Sequence, residues 1–76
     1  MNLIKQNDLV ALLIDFPQQG VQRGDVGTVT EVFEANEHHP GGYLIEFLDE
    51  ATGNWIEVDV IDTSQIVPLN FKRLAA

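Results

Sequence analysis

The stretch RGDVGTVTEVF, Arg23 to Phe33, constrains the fold more than any other part of the chain. Two glycines sit around a charged corner, and a run rich in β-branched residues follows. Such side chains are stiff at χ1 and pack well on a pleated surface, so Val26 to Glu34 reads as a strand. Its alternation is broken. Val29 and Phe33 fall on one face, and Val26 and Val32 fall on the other. A strand wetted on one side only does not place apolar residues on both. The run therefore bends, or its two ends bury opposite faces. Gly27, inside it, fits a bulge or a point where another backbone passes closely. Gly24 and Gly27 are expected to give the corner conformational freedom.

The remaining segments are short. Met1 to Asp8 forms a lead-in. LVALLI, Leu9 to Ile14, is a continuous apolar run whose length favours a strand buried on both faces over a helix. Pro17 and Gly20 end it. Asp15 to Asp25 is a long loop in which Phe16 and Val21 are apolar pins able to fold it back onto the core. Ala35 to Gly42 is loop. In YLIEFL, Tyr43, Ile45 and Phe47 share one face, and Leu44, Glu46 and Leu48 share the other. Asp49 to Asn54 is a turn with Gly53 as its positive-φ residue. WIEVDV has the cleanest two-residue period: Ile56, Val58 and Val60 point one way, and Trp55, Glu57 and Asp59 the other. Asp62, Thr63 and Ser64 can cap one helical turn, and a short apolar run containing Pro68 follows. No internal repeat is present.

Four strands and a short fifth, with one helical turn before the last, predict an all-β fold in a single domain spanning residues 1–76. The economical solution at this length is a small five-stranded barrel, closed or nearly closed, which removes sheet edges. The order of elements is that of an SH3-like barrel, with the Val26–Glu34 strand shared by both halves.

Charge narrows the partners. Twelve acids face four bases, for a formal net charge of −8. Between Gly24 and Phe71 there is no Lys or Arg but there are ten acids. That span repels phosphate backbones, whose binding rests on Lys and Arg, and attracts cationic partners. The expected partner is a protein with a basic surface, with neither nucleic acid nor membrane. The competing reading of the acids is solubility alone. The longest apolar run is far below the roughly 20 residues of a membrane span, and the N-terminus does not read as a signal peptide. No cysteine is present, so neither disulfides nor thiolate chemistry enter, which is compatible with the expected cytoplasmic location.

The candidate sites are few. His38 and His39, with Glu37, could offer metal ligands, but a stable site needs three or four, so no metal and no cofactor are expected. The RGD tripeptide, Arg23 to Asp25, is a match that arises easily by chance; Asp25 follows a turn glycine and is expected to bond its own loop backbone. No Ser-His-Asp set or phosphate-cradling loop occurs, and a filled barrel leaves no cleft for a carboxylate pair, so no enzyme activity is expected. Trp55 lies on the polar face of its strand with Glu57 and Asp59, and Glu46 is their expected cross-strand neighbour. An exposed Trp among carboxylates is a hot-spot candidate for a cationic partner. The competing reading packs Trp55 under the long first loop against Phe16 or Pro17. Leu44 and Leu48 extend the contact strip or pack under the terminal segment.

QNDLVALLIDFPQQGVQRGDVGTVTEVFE, YLIEFLD and SQIVPLN together resemble a family of small bacterial proteins, frequent in cyanobacteria and known as a domain of unknown function. The resemblance spans nearly the whole chain. It rests on a D-x-P after the first strand (Asp15, Pro17), a G-D-x-G-T-V corner (Gly24 to Val29) and a closing VPL (Val67 to Leu69). Small genes of such families often sit beside a toxin-like gene, which implies an antitoxin or immunity-like protein neutralising a basic toxin-like partner. The corner is also similar to KOW-type and other SH3-like barrels. These include nucleic-acid modules and accessory subunits of larger enzymes. The chain departs from the nucleic-acid-binding members in lacking their basic loops. The expected function is thus a non-enzymatic, acidic protein-binding module acting through Trp55, Glu46, Glu57 and Asp59. The alternatives are a structural accessory or self-assembling barrel and, further off, a KOW-type module.

Overall fold

The computed structural model describes residues 4–38 and 40–69. It is all-β: β1 (Leu9–Leu12), β2 (Val26–Phe33), β3 (Gly42–Asp49), β4 (Asn54–Val60), a lone 3-10 turn (Thr63–Gln65) and β5 (Ile66–Pro68). Every pairing is antiparallel, and the strands lie in the order β4-β3-β2-β1-β5. β2 serves both halves, as expected. Its start pairs with β1 through Val26, Gly27 and Thr28, and its length from Thr28 to Phe33 pairs with β3.

The broken alternation of β2 has a definite cause. The register against β3 shifts between Val29 and Glu31. An extra residue, Thr30, is accommodated there, and its hydroxyl donates to the Leu44 carbonyl at 3.2 Å. Such a bulge bends a strand and reverses which residues face inward. Beyond the bulge Glu31 shares the face of Leu44 and Val32 that of Tyr43, while Val29 before it is fully buried.

The bend lies three positions past Gly27, whose role is different from the one expected. A Cβ there would stand 2.7 Å from Ile45 Cγ2 and 2.8 Å from the Phe47 ring. Gly27 leaves room for two core side chains of β3. Conformational freedom belongs to Gly24 alone, at φ +92° with open space around it.

β1 also departs from expectation. Only Val10 and Leu12 are buried, whereas Leu9, Leu13 and Ile14 are each about two-fifths exposed. β1 is flanked by β2 and β5 in the sheet plane, so its residues alternate between core and outer face, and the strand ends at Leu12. A continuous apolar run carries no such alternation, which is why it reads as buried on both faces.

The first loop folds back through its two pins. Phe16 and Val21 form an antiparallel bridge, Val21 is buried, and Phe16 packs on the core. Gly24 N–H donates to the Leu12 carbonyl at 2.8 Å, and Leu12 N–H donates to the Asp25 carbonyl at 2.9 Å. Asp25 bonds its own loop, accepting from Gln22 N–H at 2.9 Å. The lead-in is anchored too: Ile4 joins the core, and Asn7 N–H donates to the Val29 carbonyl at 2.7 Å.

The sheet is not closed into a barrel. β4 and β5 are its two edges, and no pairing among the described residues joins them. β5 is three residues long and ends in Pro68, which has no N–H to give a further neighbour. The strands instead enclose a core of Val10, Leu12, Val29, Ile45, Phe47, Val58, Val60 and Ile66. No polar or charged residue among those described is buried.

Candidate functional site

The four residues singled out from the sequence fall on one patch. The β3–β4 turn is set by Asp49: its carbonyl accepts Gly53 N–H at 2.7 Å and its Oδ1 accepts Ala51 N–H at 3.0 Å. Gly53 holds φ +75°, the conformation the turn demands. This turn fixes a register in which Leu48 faces Trp55, Glu46 faces Glu57, and Leu44 faces Asp59. Directly opposite residues of an antiparallel pair point to the same side. The outer face of the hairpin is thus three cross-strand rows: an apolar pair, a pair of glutamates, and a leucine opposite an aspartate.

Trp55 is 60% exposed and does not pack under the first loop. Leu48 opposite it is also half exposed, so neither is buried beneath a terminal segment among the described residues. Glu57 and Asp59 are exposed, and Glu46 and Leu44 are half-buried. Pairing continues into β2, where Thr28 faces Glu46 and Glu31 faces Leu44. Glu31 thereby adds a carboxylate to the third row. Sequence reasoning missed it because the bulge shifts its register.

A second feature lies at the end of the hairpin. The first loop and the β3–β4 turn approach each other around an open cleft of about 470 Å³. Val21, Val26, Phe47 and Leu48 are among its lining residues; Val21 and Phe47 are buried, and Val26 and Leu48 are each about half exposed. Asp25, Asp49 and Glu50 bring carboxylates to the same opening. Leu48 belongs to both the cleft and the apolar row of the outer face.

The histidine loop contributes less. His38 is exposed, and its backbone N–H donates to Asn36 Oδ1 at 2.7 Å; His39 lies outside the described residues. Among the described residues no group of three or more His, Cys, Asp or Glu is arranged to hold a metal ion. No helix among them is long and apolar enough to cross a membrane. Among the described residues, Asp62, which caps the 3-10 turn, has its titration shifted. Its carboxylate accepts from the Ser64 hydroxyl at 2.7 Å and from the Ser64 N–H at 2.9 Å. Those donors, the hydroxyl first, hold its pKa below 3.8.

The family described as Domain of unknown function (DUF4926) matches residues 6–68. The match runs from the lead-in through β5, and so covers the corner, the hairpin and both parts of the cleft. The chain belongs to this family. No curated protein matches it, and no solved structure does.

Proposed function

We propose that this DUF4926 chain is a non-enzymatic protein-binding module that holds a partner with a basic surface. The observation that carries the reading is the outer face of β3 and β4: an exposed Trp55 set opposite Leu48, beside Glu46, Glu57 and Asp59. Aromatic anchors in small apolar patches with charged surroundings are the usual centre of a protein interface. No Lys or Arg lies between Gly24 and Phe71 to offset those acids, so approach of a cationic surface is favoured and steered. The sharper form of the proposal is an antitoxin or immunity-like role in the cytoplasm. The acidic residues would occupy a toxin's basic substrate-binding surface in place of its anionic substrate.

Capture of the adjacent gene's product across a salt series tests this. Charge reversal at Glu46, Glu57 and Asp59 (each to Lys) is expected to abolish capture at physiological salt, and binding is expected to weaken steeply as salt rises. Intact capture by that variant removes the electrostatic reading. Binding that ignores salt but fails with Trp55→Ala favours the alternative, an accessory module docking through Trp55 and Leu48.

A further inference from the structure

We propose that the outer edge of β4 takes up an extended segment of the partner as an added strand, with a cationic side chain opposite Glu57. The inference rests on the binding reading above and deepens it: the partner is held by main-chain hydrogen bonds as well as by the outer face.

The bonds around Val29 fix which backbone groups point off that edge. Val29 N–H donates to the Asp8 carbonyl at 2.9 Å, and its carbonyl accepts Asn7 N–H at 2.7 Å, so Val29 turns its polar groups away from β3. Successive residues of a strand turn theirs to opposite sides. Thr28 therefore bonds with Glu46, the residue it faces. Leu44 keeps the same parity as Glu46, and its carbonyl also points to β2, where it accepts the Thr30 hydroxyl. With Glu46 committed to β2, Glu57 opposite it makes no ladder bond to β3. Ile56 and Val58 bond across to β3, while Trp55 and Glu57 direct N–H and C=O out of the sheet. Neither Trp55 nor Glu57 has another backbone partner among the described residues.

Such an edge is a template for a further strand unless it is guarded. The opposite edge, β5, is three residues long and ends in Pro68. β4 has neither protection. It runs for seven residues, NWIEVDV, without Pro or Lys, and its register against β3 is unbroken.

Charge selects the occupant. Two β4 strands paired antiparallel about Glu57 would set Glu57 against Glu57 and Trp55 against Asp59, between chains of net charge −8. A second copy is therefore a poor occupant. A segment with Lys or Arg opposite Glu57 replaces that repulsion with a favourable cross-strand pair. Its alternate residues fall on the side of Ile56 and Val58, and apolar ones fit there. The residues whose backbone receives the added strand are those whose side chains make the outer face, so one segment engages both.

The test is an NMR titration of the whole ¹⁵N-labelled chain with a short capped peptide alternating lysine and valine. A second peptide carries methyl groups on the lysine backbone nitrogens, which keeps its charge and removes the donors that would meet Glu57. The parent peptide is expected to bind saturably and to slow hydrogen exchange at the Trp55 and Glu57 amides. The methylated peptide is expected to bind roughly tenfold more weakly, the scale of two lost hydrogen bonds. Glu57→Pro removes an outward donor at a position where an edge strand tolerates proline. It is expected to abolish the protection at Trp55, whereas Glu57→Gln keeps the donor and the protection with reduced affinity. Should Glu57→Pro fail to fold, the two peptides on the unaltered chain decide the matter. Equal binding of the two peptides, no binding, protection confined to other strands, or a dimer joined through β4 in the absence of peptide would overturn the proposal. The outer-face reading is judged separately. If reversal at Glu46, Glu57 and Asp59 abolishes capture while the two peptides bind equally, only the edge falls. If reversal leaves capture intact while the parent peptide still protects Trp55 and Glu57, only the outer-face reading falls.

Discussion

The β3–β4 hairpin presents two surfaces from one backbone, and they follow opposite rules. On the inner side Ile45, Phe47, Val58 and Val60 are buried, with nothing polar among them. On the outer side Glu46 faces Glu57 directly, and Trp55 stands 60% exposed opposite Leu48. Burial of the inner set drives folding. The outer set works against it, because like charges directly opposite are destabilising and large exposed apolar groups gain nothing from the fold. A 76-residue chain with no disulfide has little stability to spare. Under the proposed function, such an arrangement on one face is accounted for by the partner that face would hold. The same period-two alternation thus separates what holds the molecule together from what it offers to others.

The largest test of this division is Ile45→Ala. Ile45 is fully buried at the centre of the hairpin's inner face, and its truncation is expected to cost about 2–5 kcal/mol by chemical denaturation. A loss under about 1 kcal/mol would show that the inner face does not carry the fold. Next comes Gly27→Val, which forces a side chain against Ile45 and Phe47. Overpacking of this kind costs about 1–3 kcal/mol, and the penalty should shrink in an Ile45→Ala background because the two sites share the same space. An unchanged melting temperature would mean that the chain does not pass as closely as described. On the outer face the sign reverses. Neutralising the facing pair, Glu46→Gln with Glu57→Gln, is expected to raise stability by about 0.2–1 kcal/mol, less in high salt. The same double variant should weaken partner capture. A destabilised variant would erase the contrast between the faces.

The smallest effect concerns a carboxylate that has donors where Glu46 and Glu57 have each other. Asp62 has its pKa lowered by Ser64. Its contribution is therefore complete above its ordinary value of 3.8 and is lost as pH falls through the lower, folded value. Asp62→Ala should lower the melting temperature slightly at neutral pH, and the gap from wild type should close in strong acid. A gap that persists there would detach the cap from its charge.

Alternation made the hairpin legible in the sequence. Both faces of YLIEFL and WIEVDV read correctly, and Gly53 placed the turn that sets Glu46 opposite Glu57. The loop pins Phe16 and Val21 were legible for a similar reason, as isolated apolar residues in a polar stretch. Elsewhere the signals were tertiary. LVALLI hides its faces because every residue is apolar. Ile4 sits in a lead-in without periodicity, and only the folded chain draws it into the core. Gly27 is small because of Ile45 and Phe47, which no local pattern around it records. The open seam depends on how short β5 is in the assembled sheet. The cleft needs the first loop and the distant turn to meet, so its three acids read only as part of a diffuse negative charge.

The pairing of β1 with β5 joins Val10 to Pro68, most of the length of the described chain. The β2-β3-β4 meander needs only neighbours, whereas β1 lacks one flank until the final strand has been made. During synthesis the meander can therefore form while the N-terminal strand waits, and completion is delayed until about residue 68 clears the ribosome. A late-forming β5 would appear in folding kinetics as low φ-values at Ile66 beside higher ones at Ile45 and Val58.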